Sequence, residues 1–232
     1  MWLVNLGVEP YDAAHALQRR LVDWRQRGLV EDTLLLLEHE PVITLGRRAD
    51  DGHILVSDEV LAQEGIVVRR IERGGDVTYH GPGQLVGYPI LHLPSHGLGV
   101  SDYMHRLEQV IIDALAVWGI NAHLREGFVG VWVGRNKIAA LGVRIRRGVS
   151  FHGLALNVSP IMAHWEAIIP CGITDGGVTS MAAELGHAPP MAQVRGTLAE
   201  QFARLFGVDV VETTVDALAA QAAAAERAET EA

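Results

Sequence analysis

Residues 129–158 read VGVWVGRNKIAALGVRIRRGVSFHGLALNV, and this stretch decides the fold class. Three apolar, partly β-branched runs, Val129–Val133, Lys137–Ile145 and Val149–Val158, are separated by Gly134-Arg135-Asn136 and Arg146-Arg147-Gly148. Triplets of this composition turn the chain back on itself, so the runs are expected as three antiparallel strands. Upstream, Leu85–Leu93, Ile66–Ile71 and Trp2–Leu6 read as further strands, and Leu34–Glu38 and Val42–Leu45 as two strands broken at Pro41. Val208–Glu212 is a last short strand. Helical spacing appears in Tyr11, Ala14, Leu17, Leu21 and Trp24 after Pro10, with Gly28 as the stop. Ser57 is placed to cap a short helix over Asp58–Gln63. The clearest helix follows Ser101, with Met104, Leu107, Val110, Ile111, Leu115 and Trp118 on one face and Gly119 at its end. Val194, Leu198, Phe202 and Leu205 mark a late helix closed by Gly207. Strands outnumber helices and hairpins are frequent. The expected class is α+β, with flanking helices on a mixed, largely antiparallel sheet.

A chain of 232 residues supports one large core, so a single domain is expected over 1–214, followed by an alanine-rich tail over 215–232. An apolar share of 49% with 20% charged residues is that of a soluble globular protein. No apolar run reaches membrane-spanning length, and the start lacks the features of a signal peptide. With a single cysteine, the chain is expected in the cytoplasm, without disulfides. A formal charge of −9 argues against nucleic-acid binding, although basic residues cluster at Arg69-Arg70 and between Arg144 and Arg147.

Three features carry chemistry. The segment from Arg73 to Gln84, RGGDVTYHGPGQ, is too glycine-rich for a regular element and sets Arg73, Thr78, Tyr79, His80 and Gln84 in one loop. Its glycines let backbone N–H groups converge on a ligand, whereas a purely structural Ω-loop would share the composition without the density of polar groups. Lys137 is the only lysine among 19 basic residues and opens an apolar strand. A strand-edge lysine is usually a solvated gatekeeper, yet lysine, unlike arginine, can lose its proton when partly buried. Cys171, the only cysteine, stands between Pro170 and Gly172. It is either an inert small hydrophobe or a presented nucleophile; proline and glycine beside it favour presentation. His152 lies on the strand next to Lys137, where a histidine is more often structural than catalytic.

Taken together, Arg73–Gln84, the run KIAALG from Lys137, the run HGLALNV from His152 and Pro170-Cys171-Gly172 resemble the signature blocks of the lipoyl(octanoyl) transferases. The resemblance spans about Leu34 to Met181, and several separate blocks match in order. It implies a fold like the catalytic domain of biotin and lipoate protein ligases over 1–214. It also implies transfer of an octanoyl group from acyl carrier protein to a lysine of lipoyl domains, in 2-oxoacid dehydrogenases and the glycine cleavage H protein. Carried over, Cys171 would form the acyl-thioester with Lys137 as its partner. Arg73, Gly74, Gly75, Asp76, Val77, Thr78, Tyr79, His80, Ala140, Leu141, Gly142, Gly153, Leu154 and Ala155 would line the acyl site. No cofactor and no metal are implied.

This chemistry fits the residue types. An ordinary thiol of pKa ~8.5 is a few per cent thiolate at neutral pH. Lys137 could raise that fraction as an ammonium or take the proton as a base. Burying about six methylenes of an octanoyl tail contributes roughly 5 kcal/mol, enough to gauge chain length. The competing readings are an ATP-dependent lipoate or biotin ligase, which needs no cysteine, a non-catalytic carrier-binding module, and a thiol hydrolase using His80 or His152 as base.

Overall fold

A computed structural model describes residues 1–169 and 176–231, the last by its backbone alone. The three expected strands are β8 (Phe128–Val133), β9 (Asn136–Arg146) and β10 (Val149–Asn157), antiparallel in sequence order. Strand β6 (Gln84–Ile90) pairs antiparallel on the other side of β10 and then with β2 (Thr33–His39). Beyond β2 the pairing turns parallel, through β1 (Trp2–Glu9) to β11 (Val211–Glu212). The short β7 (His123–Arg125) closes the opposite edge, giving an eight-stranded mixed sheet.

The chain leaves this sheet at Pro41, which has no N–H to continue a ladder. It then builds a smaller sheet from β3 (Val42–Leu45), β4 (Val67–Arg70) and β5 (Val77–His80). Here the structure corrects the reading of Arg73–Gln84 as wholly irregular. Within it, Val77–His80 pairs antiparallel with β3, because four non-glycine residues of good strand propensity suffice for a short ladder.

Side-chain alternation explains the layers. Leu154 and Leu156 face α3 (Val100–Val117) and α5 (Met191–Phe206), packing with Leu107, Ile111, Leu198 and Phe202. Phe151 and Ala155 face α1 (Tyr11–Gln26), packing with Ala14, Leu21 and Val22. The short α2 (Asp58–Gln63) covers the small sheet through Leu61, but Ser57 makes no side-chain cap bond to it. The N-cap of α3 is Gly99, not Ser101, which lies inside the first turn. The short α4 (Met181–Leu185) carries no apolar periodicity long enough to be read ahead. The alanine-rich tail is α6 (Val215–Glu231); its Leu218 and Ala222 are buried, Ala222 against Leu29 and Val30. The basic pair Arg69-Arg70 is spent on internal ion pairs with Asp12 and Asp51.

Asp32, at the entry to β2, ties α1 to the connection between β6 and α3. It accepts hydrogen bonds from Arg25 Nε at 2.6 Å, His92 N at 2.9 Å and His96 Nε2 at 2.6 Å. Burial alone would raise its pKa, but these three donors outweigh it and hold the carboxyl below the usual range. The carboxylate therefore stabilises the fold above the pKa of an unfolded aspartate, and this contribution is lost as pH falls through the lower folded value. Asp32→Ala should cost about 3 kcal/mol at neutral pH, measured by urea denaturation. A loss under about 0.5 kcal/mol would show that α1 and the β6–α3 connection hold together without it.

Candidate active site

The β9–β10 register places Gly142 opposite Gly153, Leu141 opposite Leu154 and Ala140 opposite Ala155. Two blocks eleven residues or more apart in sequence thus form one wall of small side chains. Over this wall lies a cleft of about 480 Å³, its open mouth included, reached also by Arg73, Gly75, Thr78 and His80 from the small sheet. Tyr11 from α1, Tyr88 from β6, and His152 and Lys137 complete the lining.

The 73–76 turn is clamped onto β9. Gly74 N donates to Val143 O at 3.0 Å, and a Cβ on Gly142 would stand 2.9 Å from Gly74 O and 3.2 Å from Arg73 Cδ. Only glycine permits that approach. The buried Arg73 guanidinium donates to Thr44 O at 2.6 Å, to Thr44 Oγ1 and to Gly74 O, so it ties β3 to the turn. Along β5 the side chains alternate: Thr78 and His80 reach the cleft, while Val77 and Tyr79 enter the small core with Ile43 and Leu45. Tyr79 OH meets His164 Nδ1 at 2.6 Å there. Asp76 Oδ2 pairs with His53 Nδ1 at 2.7 Å.

Beside Arg73 and Lys137, the cleft is lined and backed by uncharged histidines, phenols and amides. Gln84 donates through Nε2 to Tyr79 O and to Asn157 Oδ1, so its Oε1 accepts from His80 Nδ1 at 2.6 Å. Burial lowers the His80 pKa to about 3. His39 Nδ1 donates to Glu9 O, which leaves Nε2 to accept from Tyr88 OH at 2.7 Å; burial takes His39 down to about 4. Desolvation pushes the Tyr11 and Tyr88 phenols above their ordinary value. His152 is lowered to about 2, by burial first and then by His15 and Arg73. Its N–H donates to Gln18 Oε1 at 2.8 Å, its φ is 56°, and its Nε2 has no partner among the described residues. Ligand atoms of His15, Glu72 and His152 lie within 4.8 Å of one another, with the two imidazole centroids 5.4 Å apart and the ring planes at 23°.

Lys137 stands at the far end of the wall from His152. It is buried, with 6% exposure, and its Nζ lies 5.0 Å from the Trp132 ring centroid. Its side chain borders both the cleft and a smaller cavity of about 260 Å³ formed with Thr78, Ala140, Asn157, Trp165 and Val178. The chain resuming at Gly176 is tied to it: Lys137 N donates to Gly177 O and Thr179 N to Lys137 O, both at 2.9 Å. Asn157 Nδ2 donates to Thr179 O, so a hydrogen-bonded series links His80, Gln84 and Asn157 to the backbone beside Lys137. Cys171 lies outside the described residues.

Of the residues expected at the acyl site, Arg73, Gly75, Thr78, His80, Ala140–Gly142 and Gly153–Ala155 meet at the cleft, and Gly74 shapes it through its backbone. Asp76, Val77 and Tyr79 point elsewhere. Tyr11 and Tyr88 join the lining without a sequence signal, because each sits in an apolar periodic run that reads as core. His152 was legible only as a structural histidine or a base.

Residues 10–203 match the lipoyl protein ligase A/B catalytic domain. An octanoyltransferase of Chloroflexus aggregans is 50% identical over 205 residues, covering 87% of this chain and 93% of the relative. One from Alkaliphilus metalliredigens is 46% identical over 212 residues, covering 91% and 97%. The fold is shared with the bipartite lipoate protein ligase of Thermoplasma acidophilum, at TM-score 0.74 and 18% identity over 95% of this chain and 89% of the other. It is shared more distantly with the biotin protein ligase of Aquifex aeolicus, at TM-score 0.52 and 15% identity over 89% and 69%. The chain belongs to the lipoyl protein ligase A/B catalytic-domain family and, within it, to the octanoyltransferases.

Proposed function

We propose that this chain transfers an octanoyl group from acyl carrier protein to a lysine of lipoyl domains, through a thioester on Cys171. Octanoyl transfer in lipoate biosynthesis follows from family membership at 41–50% identity over most of the chain. The observation that carries the finer reading is the cleft: small and apolar residues along its floor, neutral polar groups at its sides, and the only lysine buried at one end.

In the first half-reaction the Cys171 thiolate attacks the octanoyl carbonyl carbon. The bond to the carrier's pantetheine sulfur breaks, and that sulfur leaves as a thiol after taking a proton. In the second half, the acceptor amine attacks the Cys171 thioester, loses a proton, and the cysteine thiol is released. Lys137 serves as the proton carrier of both halves. Donor and acceptors are octanoyl-acyl carrier protein and the lipoyl domains of 2-oxoacid dehydrogenases and the glycine cleavage H protein, encountered in the cytoplasm. A hydrolase with a histidine base fits less well: His80 and His152 are held neutral so firmly, at about 3 and about 2, that neither accepts a proton usefully at neutral pH.

Incubation with octanoyl-acyl carrier protein should raise the intact mass by one octanoyl unit that hydroxylamine removes. A Cys171→Ser protein should lack this labile adduct. If it keeps the adduct, the nucleophile is another residue; if labelling requires ATP, the chain is a ligase. Lys137→Arg keeps the charge but cannot act as a base near neutrality, so transfer should fall by roughly 100-fold or more. A wild-type rate in that variant would leave the lysine only an electrostatic role.

The neutral histidines also predict a pH profile for stability. His39, His80 and His152 have folded values near 4, 3 and 2, below the 6.5 of a free histidine, so the unfolded chain takes up protons first as pH falls. Stability should be complete above about pH 6.5 and decline below it, by up to about 1.4 kcal/mol per pH unit for each histidine. Urea denaturation between about pH 7.5 and 5 reads this directly. A flat profile would mean that the imidazoles are protonated inside the fold.

A further inference from the structure

Strand β8 is irregular on both sides of Gly130. Its pairing with β7 shifts register between His123 and Arg125, and its pairing with β9 shifts between Val131 and Trp132. On β9 the residue opposite Val131 is Ala139, while Trp132 faces Lys137, so Ile138 is the extra residue of a bulge. A bulge re-aims the side chain beside it, and here that side chain is Lys137.

The re-aimed lysine occupies space that only glycine leaves. Gly130 has φ 135°, and a Cβ built on it would stand 2.4 Å from Lys137 Cε, 3.1 Å from Lys137 Nζ and 2.8 Å from Ala139 O. The lysine stem thus lies directly over Gly130, with its ammonium at the Trp132 ring. Where the two register shifts interrupt the ladders, the Gly130 N–H is taken by a side chain. Glu108 Oε1, buried on α3, accepts it at 3.0 Å. A carboxylate is a costly group to bury, and here its Oε1 is held by the backbone of the residue that makes room for Lys137.

We infer that Glu108 is a positioning residue for Lys137: by holding the Gly130 amide it keeps the glycine in the conformation that seats the lysine at the cleft. This rests on the reading of Lys137 as proton carrier. Glu108 touches neither substrate nor the reacting atoms, and acts through β8. A displacement of about 1 Å in a proton-carrying group can cost up to 100-fold in rate. Its loss should therefore appear in turnover and leave substrate affinity alone.

The test uses two variants that change one property each, with the full chain and a small octanoyl thioester as donor. Glu108→Asp keeps the charge but withdraws the acceptor by one methylene. Glu108→Gln keeps the reach and the acceptor oxygen but removes the charge. Glu108→Asp should lower kcat between about 10- and 100-fold, with KM changed less than about 2-fold, and should speed amide hydrogen exchange at Gly130. Glu108→Gln should stay within about 3-fold of wild type in kcat and keep the Gly130 amide protected. The inference is overturned if Glu108→Asp exposes the amide yet turns over at the wild-type rate. It is also overturned if the glutamine variant loses as much as the aspartate one, since the acceptor then does not matter. Lys137→Met, assayed alongside, separates the two readings. A fully active Lys137→Met protein removes the lysine's role itself, whereas an inactive one beside a normal Glu108→Asp enzyme removes only the role of Glu108.

Discussion

The constraint on which the cleft depends is the close approach of β6 to β10 at Gly153. A Cβ at that position would stand 2.2 Å from Gly87 O and 2.7 Å from Pro89 Cδ. Regular pairing of β10 with β6 covers Leu154 to Asn157 and stops there, because Pro89 has no N–H to offer the next rung. Ser150 restores the connection further along, donating from Oγ to Pro89 O and from N to Leu91 O. Between these points the backbone swings His152 to φ 56°, and Gln18 of α1 takes its N–H. A non-glycine residue in that region costs on the order of 1 kcal/mol or more, which the buried hydrogen bond and the packing of α1 offset. The break in the ladder closes one end of the cleft.

The opposite end depends on a second irregularity, the β8–β9 bulge beside Lys137. A regular sheet would alternate its side chains and offer a flat wall. Two interruptions on neighbouring strands, with the paired Gly142–Gly153 and Ala140–Ala155 positions between them, turn that wall into a bounded trough. Gly142, Gly153, Ala140 and Ala155 between the bounds are small, so the sheet surface itself forms the floor of the cleft.

Around the trough, buried histidines supply polar groups without adding charge to that of Arg73. His80 at the cleft and His39 behind it each donate a hydrogen bond to an amide or backbone acceptor, and burial keeps them from taking a second proton. Arg73, the guanidinium at the cleft among the described residues, donates to Thr44 and Gly74. Lys137, buried at one end of this cleft, differs from Arg73 in that a lysine can lose its proton when buried.

The sequence by itself determined the strand and helix types from periodicity and turn residues, and it singled out Lys137, Cys171 and the 73–84 segment through composition and family resemblance. Local signals suffice for the strands and helices because hairpin turns and helical spacing are properties of neighbouring residues. They failed where a contact depends on distant chain. Ser101 looked like the cap of α3, but packing starts the helix at Gly99. Tyr11 and Tyr88 read as core, yet the approach of α1 to β6 brings both to the cleft. Val77 and Tyr79 stood inside the resembling block, yet alternation on β5 turns them into the small core. Glu108 carries no signal at all, since its hydrogen bond to Gly130 spans 22 residues and exists only once α3 lies on β8. Which residues face the cleft was decided by register and by the two breaks in the ladders. Both arise from how strands distant in sequence fit against one another, and no window of the sequence contains them.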